Sequence, residues 1–136
     1  MPAATSAINT DFRLGDEFAY PVAAATKIWL GTLVALDATG RAVPAANTAA
    51  LKVAGVSQQD IDNSDGAAGD QLVNLRRGVH KFANSATAPL TVADLLTVAL
   101  VEDDCTVTKT ATNNIKAGRV LAIDADGGIW IDTRDT

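Results

Sequence analysis

The chain is poor in the residues that usually carry chemistry. Of its 136 residues, one is cysteine (Cys105) and one is histidine (His80). A single cysteine excludes an intramolecular disulfide and any cysteine-based zinc cluster. A chain without such cross-links suits a reducing compartment. Met1–Thr10 lacks the basic start and the apolar stretch of about 7–15 residues that mark a secretory signal, so none is expected. No run approaches the ~18 apolar residues of a membrane-spanning helix. Positive charge is also short: 11 Lys and Arg stand against 16 Asp and Glu, a formal charge of −5. That balance argues against wrapping nucleic acid, whose phosphates need clustered cations.

The apolar content is ample by number, at 48%. Leu, Ile, Val and Phe supply 34 of the 136 residues, which is too many for a wholly disordered chain. The length fits one domain, which buries roughly two-thirds of its unfolded surface without staples. Twenty-six residues are alanine, which buries little area. Burial contributes about 25 cal/mol per Å² of apolar surface, so a thin, alanine-rich core is expected, and with it either a modestly stable monomer or one that gains stability from neighbours.

Short apolar runs alternate with polar turns along the chain. Met1–Gly15 has little periodicity, and Ile8, Phe12 and Leu14 are its large apolar residues. It reads either as a frayed terminus or as an arm that docks those three side chains on another subunit. Ile28–Leu36, interrupted by Gly31, leads through Asp37-Ala38-Thr39-Gly40 to Arg41-Ala42-Val43-Pro44, a hairpin whose proline should end the return strand or hold it at an edge. Leu51–Val56 is a second run, broken by Gly55. Ser57–Gly69 is a loop by composition. Leu72–Phe82 reads as one strand with a bulge at Gly78, and Asn84–Pro89 as another loop. Thr91-Val92-Ala93-Asp94 has the spacing of a helix start. Thr97–Val101 and Thr106–Thr110 flank a turn at Glu102-Asp103-Asp104. Val120–Ile123, Asp124-Ala125-Asp126-Gly127-Gly128 and Ile129-Trp130-Ile131 form the clearest hairpin. The expected fold is mainly β: an irregular N-terminal arm (1–15), then a single domain (16–136) built as a small β-barrel or β-sandwich of about seven or eight short strands, with one short helix near Thr91–Leu96.

The candidate chemistry is sparse. His80 falls on an expected strand beside Arg77 and Lys81, where a rim histidine is the simpler reading than a catalytic base. No motif flanks Cys105, and burial as a small apolar residue accounts for it more simply than a nucleophilic role. No nucleophile elbow, phosphate loop or dinucleotide fingerprint occurs. Gly66-Ala67-Ala68-Gly69 lacks the lysine and the helix that a phosphate loop needs. Asp60, Asp62, Ser64 and Gly66 almost imitate a calcium loop, but the glycine comes one position late and Gln71 stands where a bidentate glutamate is required. Asp124 and Asp126 are explained by their turn, and so are Asp103 and Asp104. Arg76, Arg77 and Lys81 are the basic cluster. On a strand, Arg76 and Arg77 point to opposite faces, and Lys81 shares the face of Arg77 if Gly78 is not a bulge. They read as a solvated sheet face or as a contact for an acidic partner. No catalytic residue, metal ligand or cofactor is expected, and the chain reads as a β domain that binds or builds.

Several segments, in order, resemble the small capsid cement (head decoration) proteins of tailed bacteriophages. They are Lys27-Ile28-Trp29-Leu30-Gly31-Thr32-Leu33-Val34-Ala35-Leu36-Asp37 with Ala42-Val43-Pro44-Ala45, then Leu51-Lys52-Val53-Ala54-Gly55-Val56, Gly66-Ala67-Ala68-Gly69-Asp70 and Arg77-Gly78-Val79. Asp103-Asp104-Cys105-Thr106-Val107, Ala117-Gly118-Arg119-Val120 and Asp126-Gly127-Gly128-Ile129-Trp130-Ile131 complete the set. The likeness runs from about Gly15 to Thr133 and leaves Met1–Thr10 outside it. It implies a non-enzymatic structural protein of the virion, assembled in the host cytoplasm and seated on the outer face of the head. Its partners would be the major capsid protein and other copies of itself, as dimer or trimer, with no nucleic acid and no membrane. The family supplies no catalytic residue. From the residues themselves, Ile8, Phe12, Leu14, Arg76 and Arg77 are the candidate partner contacts. The alternative is a non-catalytic carbohydrate- or protein-binding β module. Stacking on sugar rings would draw on Trp29, Trp130 and Tyr20, although both tryptophans fall inside apolar runs where packing is the simpler account.

Overall fold

The computed structural model describes residues 3–11 and 15–135. These form twelve strands: β1 Glu17–Pro21, β2 Thr26–Ile28, β3 Leu33–Leu36, β4 Ala42–Pro44, β5 Lys52–Ser57, β6 Ile61–Asn63, β7 Leu72–Arg76, β8 Val79–Asn84, β9 Val98–Val101, β10 Thr106–Thr108, β11 Lys116–Ile123 and β12 Ile129–Asp132. The fold is mainly β, as expected. The strands outnumber the expected seven or eight because four of them have only three residues, and because two apolar runs each serve two sheets. The expected short helix is a single 3-10 turn, Val92–Asp94. Asp94 does there what glutamate does in a longer helix: the Thr91 N–H donates to its Oδ2 at 2.8 Å.

The second half of the chain closes into a barrel in the order β10-β8-β12-β11-β9. Its pairs are antiparallel except β10 with β8, which is parallel. The first half builds an open sheet in the order β1-β7-β5-β3-β4, with β2 and β6 as a separate two-stranded ribbon. β3 and β4 are the expected hairpin, and Pro44 ends β4 on the sheet's edge. Asp37 organises its turn by accepting from the Thr39 and Arg41 N–H groups at 2.9 and 3.0 Å. β11 and β12 are the other expected hairpin.

Two departures from the sequence reading have one cause, pairing between distant segments. Ser57–Gly69 is not wholly loop: it contains β6, which pairs with β2 and buries Ile61 and Asn63. The Asn63 amide donates to the Ala23 and Ala67 carbonyls at 2.9 and 3.0 Å, tying the ribbon to the chain around it. Leu72–Phe82 is two strands in two sheets, and Gly78 is the link between them rather than a bulge. Thr133 clamps that link, taking the Gly78 N–H on its Oγ1 at 3.0 Å and giving its own N–H to the Gly78 carbonyl at 2.9 Å. The register slips instead at Gly55 (φ +153°) on β5, at Gly118 (φ +157°) on β11, and again between Val120 and Ala122 where β11 pairs with β12. A Cβ on Gly118 would run into the backbone carbonyl of Asp132.

Two apolar clusters fill the interior. One lies in and against the barrel and includes Leu33, Ala35, Val101, Val120, Ile129 and Ile131. The other lies between the open sheet and the ribbon, with Val22, Ile28, Val34, Ile61, Val73 and Leu75. β3 serves both: Leu33 and Ala35 face the barrel and Val34 faces the ribbon. Alanine takes a smaller share of the core than of the chain's apolar residues as a whole. Of the 21 buried apolar residues among those described, five are alanine. Ile28, Leu33, Leu75, Ile129 and Ile131 are almost wholly enclosed, and each such side chain contributes about 1.5–3 kcal/mol by burial. The sixteen buried apolar residues that are not alanine are larger side chains, and most alanines stay outside the interior.

Candidate interaction surface

The N-terminal arm leaves the domain at one edge of the open sheet. Ala3–Asp11 is exposed along its whole length, without strand or turn pairing, and Ile8 keeps 71% of its surface in solvent. Phe12 and Leu14 lie outside the described residues. The chain enters the fold at β1, which among the described residues is an edge strand paired with β7 alone. Two flanking bonds fix its phase: the Arg77 N–H donates to the Asp16 carbonyl at 2.7 Å, and the Val22 N–H to the Gln71 carbonyl at 2.9 Å. By antiparallel alternation the backbones of Phe18 and Tyr20 then turn to β7, and those of Glu17, Ala19 and Pro21 turn outward. Pro21 sits where its missing N–H breaks no rung. Among the described residues no strand pairs with the outward side of β1, which is a short sheet edge.

Arg76 and Arg77 stand at the root of the arm. The sequence reading put them on opposite faces, but β7 ends at Arg76, and both line one groove with Asp16 and Glu17. The Arg76 Nε donates to Glu17 Oε1 at 3.0 Å, and the Arg77 guanidinium lies 5.8 Å from the centre of the Phe18 ring. Lys81 does not belong to this patch. It sits in the barrel, its ammonium 2.9 Å from Asp124 and 2.7 Å from Asp126. Contact with Lys81 holds both carboxyls below the ordinary range and the ammonium above it.

Cys105 is exposed, not buried, because its turn lies on the surface between β9 and β10. Its hydrogen bond to the Thr106 hydroxyl favours the thiolate, but the contact with Asp103, partial burial and the charges of Asp103 and Asp104 outweigh it and raise the thiol. His80 is half-buried, its Nδ1 enclosed without a hydrogen-bond partner. Desolvation by burial lowers its pKa, against an opposing effect of the nearby Gly78 backbone. The two share no contact in the structure. In the calcium-like stretch, Asp60 Oδ1 takes the Leu30 N–H at 2.7 Å and Asp62 Oδ1 takes the Ser64 N–H at 3.0 Å. These carboxylates cap backbone turns.

Trp130 is half-buried on β12 and donates its Nε1–H to Asp124 at 3.0 Å. Tyr20 packs against the ribbon cluster. Trp29 differs from expectation: it lies just past β2 and is 53% exposed, with the Lys27 ammonium 4.2 Å from its ring centre. The sequence reading also missed an exposed apolar patch of Val92, Leu95, Leu96 and Leu121. Leu96 adopts φ +66°, a conformation that costs a leucine roughly 1–2 kcal/mol. It is held by its N–H on the Val120 carbonyl at 2.8 Å and by Arg119 on its own carbonyl. The adjacent Leu95-Leu96 past a one-turn signal was the available clue.

Among the described residues no helix is long and apolar enough to cross a membrane. Comparison with known proteins finds no family model, no curated protein and no solved structure that matches the chain.

Proposed function

We propose that this protein is a structural component of a tailed-phage virion, a cement protein that attaches to the outer face of the assembled head and stabilises the lattice of the major capsid protein. The observation that carries the reading is the exposed arm, rooted at an unpaired strand edge, on a domain whose two cores are already complete. Such a domain folds without a partner and keeps an extended segment for one. The ordered likeness of segments between Gly15 and Thr133 supplies the identity of the partner. Ile8, Phe12 and Leu14 would enter the capsid surface, and Arg76 and Arg77 would flank the point of entry. A ligand that binds only the assembled lattice stabilises it by mass action, and many modest contacts engaged together gain avidity. The test is to heat heads with and without the protein. Rupture at a higher temperature with it supports cementing, and equal rupture temperatures reject it.

A second reading, a carbohydrate-binding module, is favoured by the exposure of Trp29. Lys27 stands over the ring, and 53% of the residue remains in solvent. Glycan binding that Trp29→Ala abolishes without unfolding would favour this reading over the first.

A further inference from the structure

Most cations of the described chain have an acidic or aromatic neighbour. Arg76, Lys81, Lys109, Arg119 and Arg134 form ion pairs, and Lys27 and Arg77 stand over aromatic rings. Among the described residues Arg41 has neither, and Lys52 and Lys116 also have neither, in a chain whose net charge is −5. The two lysines line one groove of about 410 Å³ between β5 and β11, floored by Leu51, Val53 and Ile115. An apolar floor between two unpaired ammonium groups suits a segment that carries carboxylates beside an apolar side chain.

The same molecule displays such a surface. Leu30 is 61% exposed, and the Asp60 carboxylate is fixed beside it by the Leu30 N–H. The Leu33 N–H donates to the Asp104 carbonyl at 2.8 Å, which brings the Asp103-Asp104 turn to the same segment. None of these three carboxylates has an ion-pair partner among the described residues. Asp104 lies at the Leu33 end of β3, whereas Lys52 pairs with Leu36 at the other end, about 10 Å along the strand. No ion pair joins the two surfaces within the molecule.

We propose that the Lys52–Lys116 groove docks a second copy of this chain, receiving its Leu30 tip flanked by Asp60, Asp103 and Asp104. This rests on the reading above only in that copies touch one another, and it names the faces that meet. Because the giving and receiving faces differ, each copy can do both, so the contact runs head to tail and forms a ring where its rotation closes.

The test is sedimentation of the full chain at low ionic strength, without heads. A species larger than the monomer is expected, dissociating in about 1 M salt, where the Debye length falls to about 3 Å. K52E/K116E and D103K/D104K should each associate at least about tenfold more weakly than the wild type, because reversed charges then face each other. An equimolar mixture of the two should regain the oligomer, because each variant then supplies the charge the other lacks. Leu30→Ser, at an exposed tip, should weaken association while leaving the melting temperature unchanged. A wild-type monomer at concentrations up to about 1 mM, a mixture that stays monomeric, or Leu30→Ser associating as the wild type would each overturn the proposal. Heads play no part in this assay, so its failure leaves attachment to the capsid standing.

Discussion

The barrel and the open sheet are made from the same kinds of residues but end differently. In the barrel each strand has two neighbours and no edge remains. In the open sheet β4 is short, carries Pro44 and is met by a bridge from Val22 to Ala42, but among the described residues β1 pairs with a strand on one side alone. The barrel completes itself, and the sheet stops where a partner can begin. On the proposed reading, stability and attachment fall to different parts of the fold.

The comparison breaks first in the core. Ile131→Ala, in the fully enclosed centre of the barrel, should cost about 2–5 kcal/mol. Denaturant unfolding should show one transition, since β3 belongs to both clusters; two separated transitions would divide the halves thermodynamically. Glycine substitutions sharpen the contrast between bulges. Gly118→Ala meets the backbone of Asp132, whereas Gly55→Ala meets the Arg76 carbonyl only at 3.0 Å. Gly118→Ala should therefore lower the melting temperature more, and the reverse order would contradict the geometry.

Two smaller effects follow from charge. The carboxyls of Asp124 and Asp126 are depressed in the fold by Lys81, so their contribution is present above the ordinary carboxylate pKa of about 4 and is lost as pH falls through the lowered values. Lys81→Met should flatten the loss of stability on acidification, measured by thermal melts across that range, and an unchanged profile would remove the pair from the account. His80 is depressed mainly by burial. The unfolded chain then takes up its proton first, so stability falls as pH drops through the unfolded value near 6.5 toward the lower folded one. His80→Gln should remove that shallow slope between about pH 7 and 5 and leave the carboxylate slope in place.

What could be read from the sequence follows how local each signal is. Asp37 with Gly40, and Asp124 with Gly127, form turns from neighbouring residues, so both hairpins were legible. So was the Thr91–Asp94 turn, whose bonds span three residues. β6 was not, because Ile61 and Asn63 sit among acids and are buried only by pairing with β2, some thirty-five residues away in sequence. The division at Gly78 was hidden for the same reason: nothing in Arg77-Gly78-Val79 shows that its two sides join different sheets. On the candidate surface, Arg76, Arg77 and Ile8 were picked out by residue type alone. That the arginines stand at the root of the arm depends on the pairing of β1 with β7. The exposure of Cys105 and Trp29 likewise follows from where strands end, which an apolar run does not mark.

The central claim is that the domain holds itself together and the arm holds it to something else. Removal of residues 1–11 should be compared with the full chain in two readouts, melting temperature and occupancy on phage heads. The account predicts an unchanged melting temperature with occupancy reduced at least about tenfold, the loss of roughly 1.4 kcal/mol of binding. A truncated chain that melts lower but still covers the heads as fully would contradict it.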